Sequence, residues 1–482
     1  MADLHELTAL DQWNLLQRDK VTPLELADHY LARIEALNQL VGAFVTVTAD
    51  AARERAERVQ ASVPRSAPLW GLPIGDKDLW QRAGVPTGFG SRLLTGYVPE
   101  ESDEIVQDLD AAGAVSLGKT GAPEFGLPCY TETLVAPPVR TPWDLERGAG
   151  GSSGGAAAAV ASGMLPFAPG SDGGGSIRIP AAACGLVGLK PSRGRVPSGS
   201  GLESLGGLVV DGPIARTVED AALLLDGMIA RRNGRVDHRF AVAAPGDDTA
   251  FLGAAVRGEG RYQLGVMTTS AWDLDYEIEL EPDALAALDC AADEFAALGH
   301  GIEQAALTPN PTYGPAFTTL WKAGAARIPA DGEAMALLEP LTRWLVEQGR
   351  AVGARELGAA LAALTAYERS LIRQLSSFDA VLTPALAMTP RPLGWYDVED
   401  AERNFAQQVQ YTPFTSMLNV SGLPAITLPV WQTSEGLPMG VQLIGRPGGE
   451  AVLLSLGAQL QRRIRWQDRR PPVWDAPSAH LR

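Results

Sequence analysis

Cysteine is scarce. The 482 residues hold three, Cys129, Cys184 and Cys290, with no CxxC spacing. So sparse and odd a set excludes a disulfide framework and argues against a zinc knuckle, and it predicts a reducing cytoplasm. Positive charge is also short, with 40 Lys and Arg against 57 Asp and Glu and a net charge of −17. Such a chain repels phosphate backbones and anionic lipid, so neither a nucleic acid nor a membrane surface is an expected partner. No 18-residue apolar run occurs, and the first 20 residues carry charges throughout. A spanning helix and a secretory signal are therefore not expected.

What is present is an ordinary apolar fraction, 46%, over a length able to bury a large core. Gly and Pro, 52 and 35, make up about 18% of the chain against a usual sum of roughly 12%. Residues 3–62 read as helical, with Thr22 as cap, Pro23 at the first helical position and Glu25 as capping-box partner. From 72 to 226, short β-branched runs alternate with Ala-rich helical stretches, which predicts an α/β sheet covered by helices. Residues 227–260 read as loop, 262–269 as strand, 283–298 as helix and 333–375 as helices. Residues 380–383 read as strand, and 424–430 with 440–444 as a hairpin. No strong linker and no repeat divides the chain, so a single domain over 1–482 is expected.

Three patterns imitate known signatures. Gly113 to Thr120 fits GxxxxGK[ST], but its interior is strand-like and Pro123 follows at once, so a strand running into a loop is the better reading. Ser116 and Lys119 resemble β-lactamase elements, but the two motifs would have to share one lysine. Gly150 to Gly154 fits GxSxG, a motif that needs a preceding strand and a later histidine base. Residues 140–149 read as loop, no histidine lies between 30 and 237, and His238, His300 and His480 read as surface.

The stronger signal is a narrow window. Gly148 to Ser176 holds ten glycines and five serines, interrupted by an Ala-rich helical stretch and followed by an apolar run. A flexible linker has neither feature. Gly-rich turns feeding a helix expose backbone N–H groups together, which is how an oxyanion is held. A serine nucleophile then needs a base. With histidine unattractive, Lys77 is a candidate, at the end of the strand begun by Leu72-Pro-Ile-Gly75; a plain surface lysine is the alternative. A lysine base must be neutral, which burial favours.

At these residues the chain resembles the amidase-signature family of serine hydrolases. The matching segments are GLPIGDKD (71–78), AGAVSLGKTGAPEFG (112–126), TPWD (141–144), GGSSGG (150–155), GSDGGGSIRIPAAACGLVGLKP (170–191) and GPIARTVEDAALLLD (212–226). Asn419 to Pro429 and Gly440-Val-Gln442 follow. The resemblance implies one α/β domain built on a mixed, twisted sheet of about eleven strands sandwiched by helices. It has a helical N-terminal layer (1–65), a signature core (70–230), a variable substrate-side region (231–400) and a C-terminal part of the core (401–482). It implies hydrolysis of a carboxylic amide by a Ser–cis-Ser–Lys triad: Lys77 as base, Ser152 as bridge, with Gly151–Ser152 cis, and Ser176 as nucleophile. Gly173, Gly174, Gly175 and the Ser176 amide would hold the oxyanion. Asp172 would brace the loop with Arg178, Ser153 would orient its neighbours, and Gly126 would present a carbonyl to the substrate.

No metal or other cofactor is implied, and a homodimer is compatible. Asp76, beside Lys77, departs from the family's usual small or apolar residue; strand alternation should turn it to the opposite face. Ala156 and Gly173 are further departures, neither of which removes a catalytic group. Leu127 to Tyr130, and residues 305–330 with Tyr313, Phe317 and Trp321, are candidate pocket walls or ordinary core. Their aromatic content points to a small apolar or aryl amide, a carbamate or an amide oligomer. The alternative is the glutaminase subunit of a tRNA-dependent amidotransferase, which would need a docked partner and charged anchors for glutamine.

Overall fold

A computed structural model describes residues 3–196, 205–230, 242 and 250–475. Thirteen strands form among them. In chain order they are β1 (Phe44–Val47), β2 (Pro73–Lys77), β3 (Val115–Thr120), β4 (Arg140–Thr141), β5 (Asp144–Gly148), β6 (Phe167–Asp172) and β7 (Val187–Lys190). They continue as β8 (Val210–Ala215), β9 (Gln263–Val266), β10 (Gly301–Gln304), β11 (Ala380–Pro384), β12 (Ala425–Gln432) and β13 (Pro438–Gly445). The large sheet has eight strands in the order β10-β9-β11-β13-β12-β7-β8-β6, and a second sheet has the order β1-β3-β2. The large sheet is mixed: β9 pairs parallel with β10 and β11, and the other pairs are antiparallel.

The expected eleven-stranded sheet is therefore met as eight strands and three. The break falls between β2 and β6, which lie side by side without a ladder. There the Lys77 side chain bonds to β6 instead of backbone bonding to backbone.

Strand alternation divides the core. On one face Leu382 and Leu443 join a cluster with Ala287 of the helix Pro282–Ala297 and Leu453 of the helix Glu450–Ile464. On the other, Val381 and Ile444 meet Phe317, Leu364 and Phe405, from the helices Tyr313–Ala325, Ala354–Leu375 and Ala401–Tyr411. The result is a sheet sandwiched by helices.

The N-terminal capping box is present at Thr22 and Glu25. Four sequence readings need correction. Residues 3–62 are not all helical, because Phe44-Val-Thr-Val47 is aromatic and β-branched and pairs with β3 as β1. Residues 227–260 are not all loop: one helix runs to Ile229 and another covers Ala250–Arg257, its Phe251 and Ala255 buried. Residues 140–149 are not loop, since β4 and β5 pair there. His300 is buried, not surface; its ring bonds to Gln459 and packs on Tyr262 and Phe295. His238 and His480 lie outside the described residues.

One close approach positions the site. Every residue of the helix Gly154–Ala161 is buried. Its N-terminal turn rests on the end of β3, where the Gly155 amide donates to Gly121 O at 3.0 Å. A Cβ on Gly155 would stand 2.2 Å from Gly121 N and 2.4 Å from Ala43 O, both backbone atoms that cannot swing aside. Gly155→Ala should therefore destabilise the protein by roughly 1–3 kcal/mol or more, read as a lower denaturant midpoint at unchanged slope. An unchanged midpoint would contradict this packing.

Candidate active site

Lys77 ends β2 and is fully buried. Its Nζ lies 2.8 Å from Ser152 Oγ, 2.9 Å from Ser171 Oγ and 3.2 Å from Ser171 O. All three are neutral oxygens, and Lys77 forms no ion pair among the described residues. Burial pushes its pKa down to about 7, against the opposing pull of Asp211 and Asp172. Its neighbour Asp76 points to the other face, where it accepts from Ser116 Oγ at 2.7 Å and pairs with Arg82. Ser171 is a partner that sequence reasoning missed. The signal was available in strand alternation, which turns Ser171 and Asp172 of β6 to opposite faces.

Ser152 follows the cis Gly151–Ser152 peptide and lies two residues before the buried helix, whose N-cap is Ser153. Ser176 lies in the next loop. The two loops are tied together, because the Ser153 amide donates to Ser176 O at 3.1 Å and Ser153 Oγ to Ser171 O at 3.3 Å. Both serine hydroxyls open into one cavity of about 520 Å³. Ser152 and Ser176 are not hydrogen-bonded to each other. Among the described residues, Ser152 Oγ is bonded only to Lys77, and Ser176 Oγ has no partner.

The loop carrying Ser176 is held by a buried ionic knot. Asp172 and Arg178 are both buried and pair through two bonds of 2.9 Å. Arg178 also donates to Gln442 Oε1 at 2.7 Å, Asn419 Oδ1 at 2.8 Å and Thr415 O at 3.0 Å. Burial alone would raise the Asp172 carboxyl, but the Arg178 guanidinium holds it down at about 2. Thr415 Oγ1 donates to Gly174 O at 2.6 Å and fixes the glycine run. Thr415 and the anchoring roles of Asn419 and Gln442 could not be read from the sequence, since they lie about 240 to 270 positions away and meet Arg178 only in the fold.

The glycines divide in a way the sequence did not show. The Gly175 amide donates to Asp172 Oδ1 at 2.7 Å, so it is turned inward and does not belong to a set of free donors. The amides of Gly173, Gly174 and Ser176 have no hydrogen-bond partner among the described residues. Gly175 has φ +133°, and a Cβ there would meet Thr415 Oγ1 at 2.6 Å.

The pocket candidates also divide. Gly126, Leu127 and Trp321 line the large cavity. Leu127, Trp321 and Phe317 line a second cavity, of about 60 Å³, that Ser176 also lines. Tyr130 lines neither. Its ring stacks on Tyr396 with centroids 4.0 Å apart, and Asn404 donates to its hydroxyl at 2.8 Å, so it is core. Tyr313 is core too, packed on Trp272 and bonded to Ser416. Leu79, Trp80, Phe89 and Phe125, close to the signature motifs, were not foreseen as walls, yet all four line the large cavity. Among the described residues, no group of three or more His, Cys, Asp or Glu is arranged to hold a metal, and no helix is long and apolar enough to cross a membrane.

Comparison with known proteins agrees with this architecture. The family model named Amidase matches residues 25–454. The Mycobacterium tuberculosis protein named "Putative amidase AmiB2" is 37% identical over 98% of this chain and 99% of its own length. A Roseiflexus protein, named as one of the subunits of glutamyl-tRNA(Gln) amidotransferase, is 34% identical over 98% of this chain and 99% of its own. Among solved structures, a 6-aminohexanoate cyclic dimer hydrolase bound to its substrate superposes with a TM-score of 0.88 at 30% identity, covering 98% of this chain and 100% of that one. The chain belongs to the amidase family, the amidase-signature enzymes, and is an amide-hydrolysing enzyme.

Proposed function

We propose that the chain cleaves its amide through an acyl-enzyme on Ser176, with Lys77 as base and Ser152 as the bridge between them. One observation carries the reading: a fully buried amine, surrounded by neutral oxygens, reaches the hydroxyl that shares a cavity with Ser176. A neutral amine has two N–H donors and one lone pair. The Ser171 oxygens accept the two donors, and the lone pair takes the proton of Ser152.

In the reaction, substrate binding turns the unpaired Ser176 hydroxyl toward Ser152; such links commonly tighten only in the complex. Ser152 gives its proton to Lys77 and takes that of Ser176. Ser176 Oγ bonds to the carbonyl carbon, and the oxyanion is met by the amides of Gly173, Gly174 and Ser176. The proton returns through Ser152 to the amide nitrogen, the C–N bond breaks and the amine leaves. Water then releases the carboxylic acid by the same relay. Ser153, Asp172 and Arg178 position the loops, and Gly126 faces the substrate.

The apolar and aromatic walls favour a small apolar or aryl amide, a carbamate or an amide oligomer. The free thiols of Cys129, Cys184 and Cys290 support a cytoplasmic setting. The second reading, a glutaminase subunit, draws on the Roseiflexus relative. Turnover of a simple aryl amide by the lone chain favours the first reading. Glutamine turnover that needs a partner favours the second.

Two outcomes test the machinery. Ser176→Ala should lower kcat about 10,000-fold or more, with loss of the acyl adduct seen by mass spectrometry, and Lys77→Ala should lower it roughly 100- to 10,000-fold. Unchanged turnover in Lys77→Ala at neutral pH would remove the base. Because Lys77 must be neutral, kcat/KM should rise with pH with unit slope, reach half its maximum near pH 7 and flatten above. A flat profile, or a midpoint near 10, would contradict the lowered amine pKa.

A further inference from the structure

Two cavities meet at Ser176, and they are unlike in size and lining. The large one, about 520 Å³, lies within the range of small-molecule sites; its walls are mostly apolar, with Leu79, Trp80, Phe89 and Phe125, but Asp103, Glu104, Asp211 and Arg327 line it too. The small one, about 60 Å³, is lined by Trp272, Phe317, Phe405, Gln408 and Val409, and no charged side chain lines it. Leu127 and Trp321, like Ser176, line both.

An amide carbon attacked by Ser176 carries two substituents, the acyl chain and the nitrogen, which extend in different directions. The nitrogen must be protonated to leave, and in the proposed relay that proton comes from Ser152. Ser152 lines the large cavity and does not line the small one. The nitrogen and whatever it carries therefore extend into the large cavity, and the acyl chain turns into the small one. Size then limits the acyl group. A sealed apolar cavity of about 150 Å³ takes up benzene, so one of about 60 Å³ is too small to enclose an aromatic ring and disfavours one. Charge limits it further, since a carboxylate or ammonium buried there would have no ionic partner.

We propose that the small cavity is the acyl site and the large cavity the amine site, so that this enzyme acts on amides joining a short, uncharged acyl group to a bulky, largely apolar amine. The inference rests on the Ser176–Ser152 reading and adds an orientation to it. It also disfavours glutamine as substrate, because the acyl portion of glutamine carries both an ammonium and a carboxylate.

A pair of constitutional isomers tests the orientation. N-benzylacetamide has a small acyl group and a large amine, and N-methyl-2-phenylacetamide reverses them. Both are alkyl amides of similar intrinsic reactivity. Wild type should favour N-benzylacetamide in kcat/KM by about tenfold or more, the scale on which apolar pockets discriminate. Phe317, which lines only the small cavity, is the first site to open it: Phe317→Ala should shift the ratio toward the phenylacetyl isomer by roughly tenfold. Should that core-packed variant not fold, Val409→Ala serves the same end with a smaller shift.

From the other side, Gly324 lines the large cavity, and a Cβ there meets nothing within 4 Å, so Gly324→Leu can be built. It should raise KM for N-benzylacetamide relative to acetamide. Equal rates on the isomers, or the reversed preference, would overturn the cavity assignment and leave amide hydrolysis at Ser176 standing. Absence of any Ser176-dependent amide turnover would overturn the reading beneath it.

Discussion

The architecture of the site depends on keeping one amine out of water without giving it an anion. Moving an ammonium from water into a protein interior costs several kcal/mol even after relaxation. A carboxylate beside Lys77 would offset that cost and hold the amine charged. The fold supplies two serine hydroxyls and a backbone carbonyl instead. The position at the seam of the two sheets makes this possible. Where β2 and β6 lie together without a ladder, a side chain can cross from one strand to the oxygens of the other. Asp76, one residue earlier, faces away and is occupied by Arg82 and Ser116. The potentially disabling neighbour is thus turned aside by strand geometry.

The second constraint is charge of the opposite kind. Asp172 and Arg178 are a fully buried pair, and such a pair is tolerable only when its remaining hydrogen-bonding capacity is filled. Asn419, Gln442 and the carbonyl of Thr415 fill it. Asp172 also holds the amides of Gly175 and Ile177. One carboxylate therefore fixes the loop on both sides of Ser176 while leaving the Ser176 hydroxyl unbonded. The rigid part of the site and its reactive part are adjacent, and the boundary between them runs through single residues of the glycine run.

This division shows what a sequence can and cannot carry. The elements were legible wherever period and punctuation agreed, as in the Thr22 capping box, the helix near 283–298, the strand at 380–383 and the final hairpin. β1 was missed because four strand-forming residues sit between two long helices, and the helix at 250–257 because it sits in polar surroundings. The catalytic candidates lie in the Gly/Ser window, where local composition is already unusual, and at Lys77, which the residues alone left open to a surface reading and the family resemblance singled out. What was not legible depends on the path of the chain in space: Thr415 against the glycine run, and Tyr130 as core. The inward turn of the Gly175 amide is likewise invisible in a row of three glycines, since only the position of the Asp172 carboxylate separates one from the next.

Among the described residues three lysines are fully buried, and comparing them shows why burial alone does not define a base. Lys119, in the strand that imitates a phosphate loop, is paired with Asp78 and bonded to Trp80 O and Thr87 Oγ1, so its charge is matched within the core. Lys190 resembles Lys77 electrostatically: burial, with help from Arg178, pushes it down to about 7 as well. Yet Lys190 donates to the carbonyl of Pro191, which has no proton to give, and it lines neither cavity beside Ser176. Lys77 differs in what its nitrogen touches. Its partner Ser152 can release a proton and faces the space a substrate would fill. A depressed amine pKa makes proton acceptance possible at neutral pH, and the adjoining hydroxyl gives that acceptance a direction. Of the three lysines, only Lys77 has both.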